Sequence, residues 1–282
     1  MKKLKRPVDL VVISDVHLGT YGCHAKELLK YLKSIEPKRL ILNGDIIDIW
    51  QFSKRYWPKS HMKVIKHITS LIGKGVEVTY ITGNHDEMLR KFVGFELGTL
   101  SIVNKAIVPL ADGTAWIFHG DVFDVTMQHS KWLAKLGGVG YDMLILLNRA
   151  VNNVLLKTGR GRISLSKKIK NGVKTAVAFI NNFEDVVMDI AADHGYAYVV
   201  CGHIHQPIIK MSHRKNGPVC YLNSGDWVEN LTALEYHRGA WSIYKYEDMH
   251  AEEEELDNEW ELELTDAMLF KNLVAEFKMI SA

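Results

Sequence analysis

The chain of 282 residues has only three cysteines, Cys23, Cys201 and Cys220. They are too scattered for a disulfide framework, and no two stand at zinc-site spacing. That scarcity makes a reduced, cytoplasmic setting the default expectation. Long apolar runs are missing as well. No stretch of about 18 uncharged apolar residues occurs, so nothing in the sequence reads as a membrane span. The opening "MKKLKRPVDLVVISD" is basic, but its apolar run is short and flanked by Asp9 and Asp15, which argues against a signal peptide. Internal repeats are absent too. A net charge of +2 names no partner.

Charge is instead unevenly placed. Between His129 and Lys174 there are ten Lys or Arg against one acid, Asp142; between Glu247 and Asp266 there are eleven acids and no Lys or Arg. The remaining composition, 47% hydrophobic and 24% charged, is that of a globular protein able to bury a sizeable core.

Strand and helix patterns alternate at first. "VDLVVISD" reads as a buried strand, His24 to Ile35 as a helix, "KRLILNGD" as a second strand, and Lys59 to Gly73 as a second helix. "VEVTYITGN" and "TAWIFHGD" are further strands. Helical patterning then dominates from about Val122 to Asp193, broken at "GGVG" and "KTGRGR". Strands resume at "AYVVCGH", "PIIKMS", "PVCYLNSG" and within "LTALEYHRGAWSIYKY", the last of them antiparallel. The expectation is an α/β chain: a mixed β-sandwich in one domain, 1–282, with a helical insertion at about 122–193 and an acidic tail at about 247–282.

Five motifs fall at the C-terminal ends of predicted strands, where open α/β sheets deliver functional groups. They are Asp15 and His17 in "SDVHLG", Asp45 and Asp48 in "NGDIIDIW", Asn84, His85 and Asp86 in "TGNHDE", His119 in "FHGD", and His203 and His205 in "CGHIHQP". Taken singly, each is an ordinary turn or helix cap. Taken together, the carboxylates, imidazoles and amide oxygen are the donors that suit Mn²⁺, Fe²⁺ or Zn²⁺. A carboxylate between two such ions would supply the bridge they need.

In this order, D-x-H, GD-x-x-D, GNH-D, HGD and GH-x-H, the motifs resemble the calcineurin-like metallophosphoesterases from Asp15 to His205. The resemblance implies a four-layer sandwich of two mixed sheets flanked by helices. It implies Asp15, His17 and His205 on one divalent ion, Asn84, His119 and His203 on a second, and Asp45 bridging. Mn²⁺ is the leading ion, with Fe²⁺ and Zn²⁺ as alternatives. His85 would stabilise the transition state or protonate the leaving oxygen, oriented by Asp48, with Asp86 a rival for that task.

Three further features resemble one branch, the UDP-2,3-diacylglucosamine hydrolases of lipid A synthesis: Trp50 after "GDIID", the long insertion, and "LNSGDWVEN" around Trp227. The implied reaction yields UMP and 2,3-diacylglucosamine 1-phosphate from a lipid-linked nucleotide sugar. One departure stands out, since the best-known members of the branch have Arg where this chain has His85, and Met127 stands near the place of their acid. A generic phosphoesterase, acting on small diesters, nucleotides or phosphoproteins, is the alternative. A metal-binding scaffold with a vestigial site is a third reading.

Within the insertion, Leu144, Leu147, Val151, Val154 and Leu155 form a helical stripe opposite Asp142, Arg149 and Asn153. Such a stripe either packs on the core or holds acyl chains. Arg160, Arg162, Lys167, Lys168 and Lys174 would then approach a diphosphate, or an anionic inner-membrane surface touched peripherally. With few interleaved aromatics, nucleic acid is not expected as a partner. Trp227 either stacks on a base or fills the core. Cys201, His194 and His213 read as structural.

Overall fold

The computed structural model describes residues 5–50, 56–123 and 174–246, without the side chains of 174–182. Among these residues, β1 (Arg6–Ile13), β2 (Ile35–Asn43), β3 (Glu77–Ile81), β4 (Glu96–Leu97), β5 (Leu100–Val103), β11 (Thr232–His237) and β12 (Ala240–Lys245) make one sheet. Its order is β12-β11-β1-β2-β3-β5-β4. A second sheet has the order β6-β7-β8-β10-β9, from β6 (Lys105–Leu110), β7 (Gly113–Phe118), β8 (Tyr198–Cys201), β9 (Ile208–Arg214) and β10 (Gly217–Asn223). The central strands β1, β2, β3 and β5 run parallel, as do β7, β8 and β10, while the outer strands pair antiparallel. Both sheets are therefore mixed.

Alternation along the strands decides the layering. Val11 and Ile13 of β1, with Leu40 and Leu42 of β2, face Leu28 and Leu32 of α1 (Ala25–Ser34) and Val64, Ile68 and Leu71 of α2 (Lys59–Gly73). The helical residues recur three and four apart, which puts each set on one face. Leu10, Val12 and Ile41 point the other way, against Ile117, Val200 and Leu222 of the second sheet. On that sheet's far side, Val187 and Ala191 of α3 (Lys174–Asp193) pack against Val199, Cys201 and Tyr221. The result is the expected four layers. Each such side chain stabilises the fold by about 1.5–3 kcal/mol on burial.

Of the expected insertion, only the last portion lies among the described residues. There α3 supplies the fourth layer of the sandwich through Phe183, Val187, Met188 and Ala191. Periodicity marks a helix there, but it cannot say which surface that helix covers. Leu144, Leu147, Arg160, Arg162, Lys167 and Lys168, and the tail 247–282, lie outside the described residues, as does the side chain of Lys174. Among the described residues no helix is long and apolar enough to cross a membrane.

Candidate metal centre

Parallel strands aim their ends at one edge. Asp15 lies two residues beyond β1, Asp45 two beyond β2, Asn84 three beyond β3, His119 directly after β7, and His203 two beyond β8. Loop-to-loop bonds hold these ends together. The Asp15 N–H donates to Gly44 O (3.1 Å), His17 N–H to Asp45 O (2.9 Å), Ile49 N–H to His85 O (3.0 Å) and Gly202 N–H to His119 O (2.9 Å).

The side chains converge in three groups, each able to present ligand atoms within 4.8 Å of one another: Asp15, His17 and His205; Asp45, His119 and His203; and His17, Asp48 and His85. Convergence strains the backbone. Seven described residues other than glycine have positive φ, and five of them are Asp15, His17, Asp45, His203 and His205, at 51–63°. A left-handed L-residue costs roughly 1–2 kcal/mol, so the fold holds these turns against local preference. Such strain concentrates at functional sites.

Two glycines are obligatory for the approach. A Cβ on Gly44, at φ +77°, would lie 2.3 Å from His119 Nδ1; one on Gly202 would lie 2.5 Å from Ser14 Oγ and 2.6 Å from Asp15 Oδ2. Gly44→Ala is therefore expected to lose about 2–4 kcal/mol of stability from left-handed strain and overpacking. It should also displace the His119 ring. Chemical denaturation and metal titration of the variant check this, and unchanged values for both would show that the loop relaxes freely.

The buried oxygens and ring nitrogens suit cations. Asn84 Oδ1 is buried with no hydrogen-bond donor among the described residues, and an amide oxygen in that state costs about 1–3 kcal/mol. Asp15 Oδ1 likewise receives no directed hydrogen bond, though His205 Nε2 lies 3.1 Å away. His119 donates Nδ1–H to the carbonyl of Asn43 (2.8 Å), an acceptor-only partner. Its Nε2, 3.2 Å from Asp45 Oδ2, is then the lone-pair nitrogen that can coordinate a metal. His17 has the same arrangement, with Nδ1 3.0 Å from Asp48 Oδ2. These residues fit divalent ions.

Asp48 Oδ2 also lies 2.8 Å from Nδ1 of His85, whose ring packs against Trp50 with centroids 4.8 Å apart. Burial disfavours charge on both partners, but their proximity outweighs it. The Asp48 carboxyl is held far below its ordinary value by His17 as well as His85, and the His85 imidazole is pulled above its own by Asp48 and Asp45. For Asp15, burial is likewise overcome, chiefly by His205, leaving it at about 2.

Asp86 has a different task from the one weighed for it. Its Oδ1 accepts from Gly83 N–H (2.6 Å), and its Oδ2 from Ile46 N–H (3.0 Å) and Tyr80 O–H (2.6 Å), so it ties two site loops together. Burial and the Asp45 charge raise its pKa. Trp227 belongs to the core. It is fully buried and stacks on Tyr31, so it fills the core and offers no face to a base. Cys201 is buried, and burial pushes its thiol far up. His194 stacks on Tyr196, and neither it nor His213 joins the three groups. The sequence reading passed over the polar residues behind the ligands, Ser14, Asn223, Ser224, Asp226 and Asn230. "NSGD" followed by Asn230 carried that signal.

The calcineurin-like phosphoesterase family model matches residues 8–207. The chain belongs to this family and is a metallophosphoesterase, a phosphoester hydrolase that uses divalent metal ions. Among its curated relatives, the UDP-2,3-diacylglucosamine hydrolase of Aliivibrio fischeri (strain MJ11) is 24% identical over 253 residues, covering 85% of this chain and 99% of the relative. The enzyme of that name from Marinobacter nauticus is 22% identical, over 79% of this chain and 91% of its own length. The one from Porphyromonas gingivalis is 32% identical over 117 residues, covering 38% of this chain and 44% of the relative.

Proposed function

We propose that this protein hydrolyses UDP-2,3-diacylglucosamine to UMP and 2,3-diacylglucosamine 1-phosphate, using two Mn²⁺ ions. Asp15, His17 and His205 would hold one ion, Asn84, His119 and His203 the other, and Asp45 both. The observation that carries the hydrolytic reading is the convergence of the Asp15 and Asp45 groups where the strand ends of both sheets come together. When bound, such ions neutralise phosphoryl oxygens and acidify a water for in-line attack. The chain's own residues do the rest. Asp48 holds Nδ1 of His85, leaving Nε2–H to donate to the phosphoryl or leaving oxygen. Asp48 and the Asp45 charge raise the His85 pKa above its ordinary value, which favours the protonated, donating form.

Two observations support the lipid substrate. Several relatives across most of the chain bear that enzyme's name. The segment just after His85 also exposes Met88, Phe92, Val93, Phe95 and Leu97, each 41–60% accessible. A cluster of this kind marks a ligand or membrane surface more than scattered apolar residues do. It fits acyl chains worth about 0.8 kcal/mol per buried CH₂, and an enzyme working in the cytoplasm with peripheral contact to the inner membrane. The cations of the insertion would meet the diphosphate.

Phe92→Asp and Phe95→Asp are expected to lower turnover of the diacylated nucleotide sugar about tenfold or more, a loss of roughly two buried methylenes. Hydrolysis of bis-p-nitrophenyl phosphate should stay near wild type. Equal losses on both substrates would remove this support. The test of the function itself is UMP release from UDP-2,3-diacylglucosamine by the Mn²⁺-loaded protein. His85 favours the second reading, a phosphoesterase for small diesters or nucleotides, and rapid turnover of those with no UMP from the lipid would establish it.

A further inference from the structure

Behind the ligands lies a buried polar scaffold contributed by the chain that follows β10. Asn223 Nδ2–H donates to Gly202 O (2.7 Å), and its Oδ1 accepts from Gly225 N–H (2.9 Å). Ser14 Oγ donates to Asp15 Oδ2 and lies 2.7 Å from Ser224 Oγ. Asp226, fully buried, accepts at Oδ1 from the N–H groups of Val228 (2.8 Å) and Asn230 (3.1 Å). Asn230 Nδ2–H donates to Asp226 Oδ2 (2.5 Å) and to the His205 carbonyl (2.8 Å). A single side chain thus grips both the carboxylate and the backbone of the neighbouring histidine.

His205 sits between two carboxylates. Its Nε2 faces Asp15 Oδ1 at 3.1 Å, and its Nδ1 faces Asp226 Oδ2 at 3.6 Å. The second separation exceeds a hydrogen bond, but it leaves the carboxylate as the charged group facing Nδ1. This matches the other imidazoles. His17 turns Nδ1 to the Asp48 carboxylate and His119 turns Nδ1 to the Asn43 carbonyl, leaving Nε2 towards the centre in both. Partners of this kind fix the tautomer and ring angle of a ligating histidine.

We propose that Asp226, clamped by Asn230, is a positioning residue that keeps His205 in the Nδ1–H tautomer with Nε2 presented beside Asp15 and His17. Asp226 thereby sets the affinity of the ion held there. The inference rests on the reading of those three residues as one ion's ligands.

Asp226→Asn separates this role from a merely structural one. Asparagine keeps an Oδ1 that can accept the same backbone N–H groups, but it replaces the oxygen that faces His205 Nδ1 and accepts from Asn230 with a donor, so the melting temperature is read beside the metal affinity. Calorimetric titration of the metal-free variant with Mn²⁺ is expected to show one site weakened about 10–100-fold and the second unchanged. Long-range ¹H–¹⁵N spectra of the metal-free protein should show the His205 ring, assigned by its loss in His205→Ala, moving from the Nδ1–H towards the Nε2–H tautomer. Unchanged affinity and tautomer would overturn the proposal. So would equal weakening of both sites together with a lower melting temperature, because that pattern belongs to a loop brace. A different failure is separable: if His205→Ala keeps both Mn²⁺ ions, the ligand reading falls, and the role of Asp226 falls with it.

Discussion

Asp45→Ala is expected to bind neither Mn²⁺ ion tightly and to lose activity by well over 10²-fold, more than loss of an outer-shell partner costs. Asp45 is 2% exposed, and its two oxygens serve different neighbours. Oδ2 lies 3.2 Å from His119 Nε2, and Oδ1 accepts the His85 N–H at 2.8 Å. Removing the carboxylate takes negative charge from the middle of a cluster of imidazoles, so like-charge repulsion between bound cations goes unscreened. Asp45→Asn controls for folding, since it keeps the shape and can still accept from His85 N–H. It should melt near wild type yet share the metal defect. If Asp45→Asn retained both ions at wild-type affinity, Asp45 would be a loop brace, as Asp86 is.

His85→Ala should give the opposite pattern, with both ions retained and the rate reduced roughly 10²–10⁴-fold, the usual contribution of general acid–base help. The imidazole is removed from the carboxylate of Asp48, which still has His17 at 3.0 Å. The sign of the pH effect follows from the raised His85 pKa. Acid catalysis by the wild-type protein is present below that pKa and fades as pH rises through it. The variant should lack this alkaline limb. A His85→Ala protein that has lost an ion would make His85 a ligand, consistent with the third cluster, His17, Asp48 and His85.

The site was legible because its residues are chemically unusual for strand ends. Asp15, Asp45, His119 and His203 each follow a buried β run, and a strand's last residues leave it in a known direction. The nearly continuous apolar run in "VDLVVI", buried on both faces, and the three-and-four spacing in α2 likewise placed the sandwich. The region between Glu87 and Leu110 was not read. Its strands β4 and β5 are two and four residues long, too short for a period to register, and β6 contains Pro109. The scaffold of Asp226 and Asn230 was missed for another reason. An Asp or Asn after a strand is an ordinary turn residue, and only the fold shows the carboxylate reaching His205 from twenty-one residues away. Trp227 was ambiguous in sequence because a buried indole and a stacking indole are the same residue. Burial against Tyr31 decides it.

The central claim, that five strand-end motifs build one centre for two bridged ions, is tested most directly by electron paramagnetic resonance of the Mn²⁺-reconstituted protein. Two Mn²⁺ per chain are expected, with the spectrum of an exchange-coupled pair that is lost in Asp45→Ala. One Mn²⁺ per chain, or two that give only uncoupled six-line signals, would contradict it.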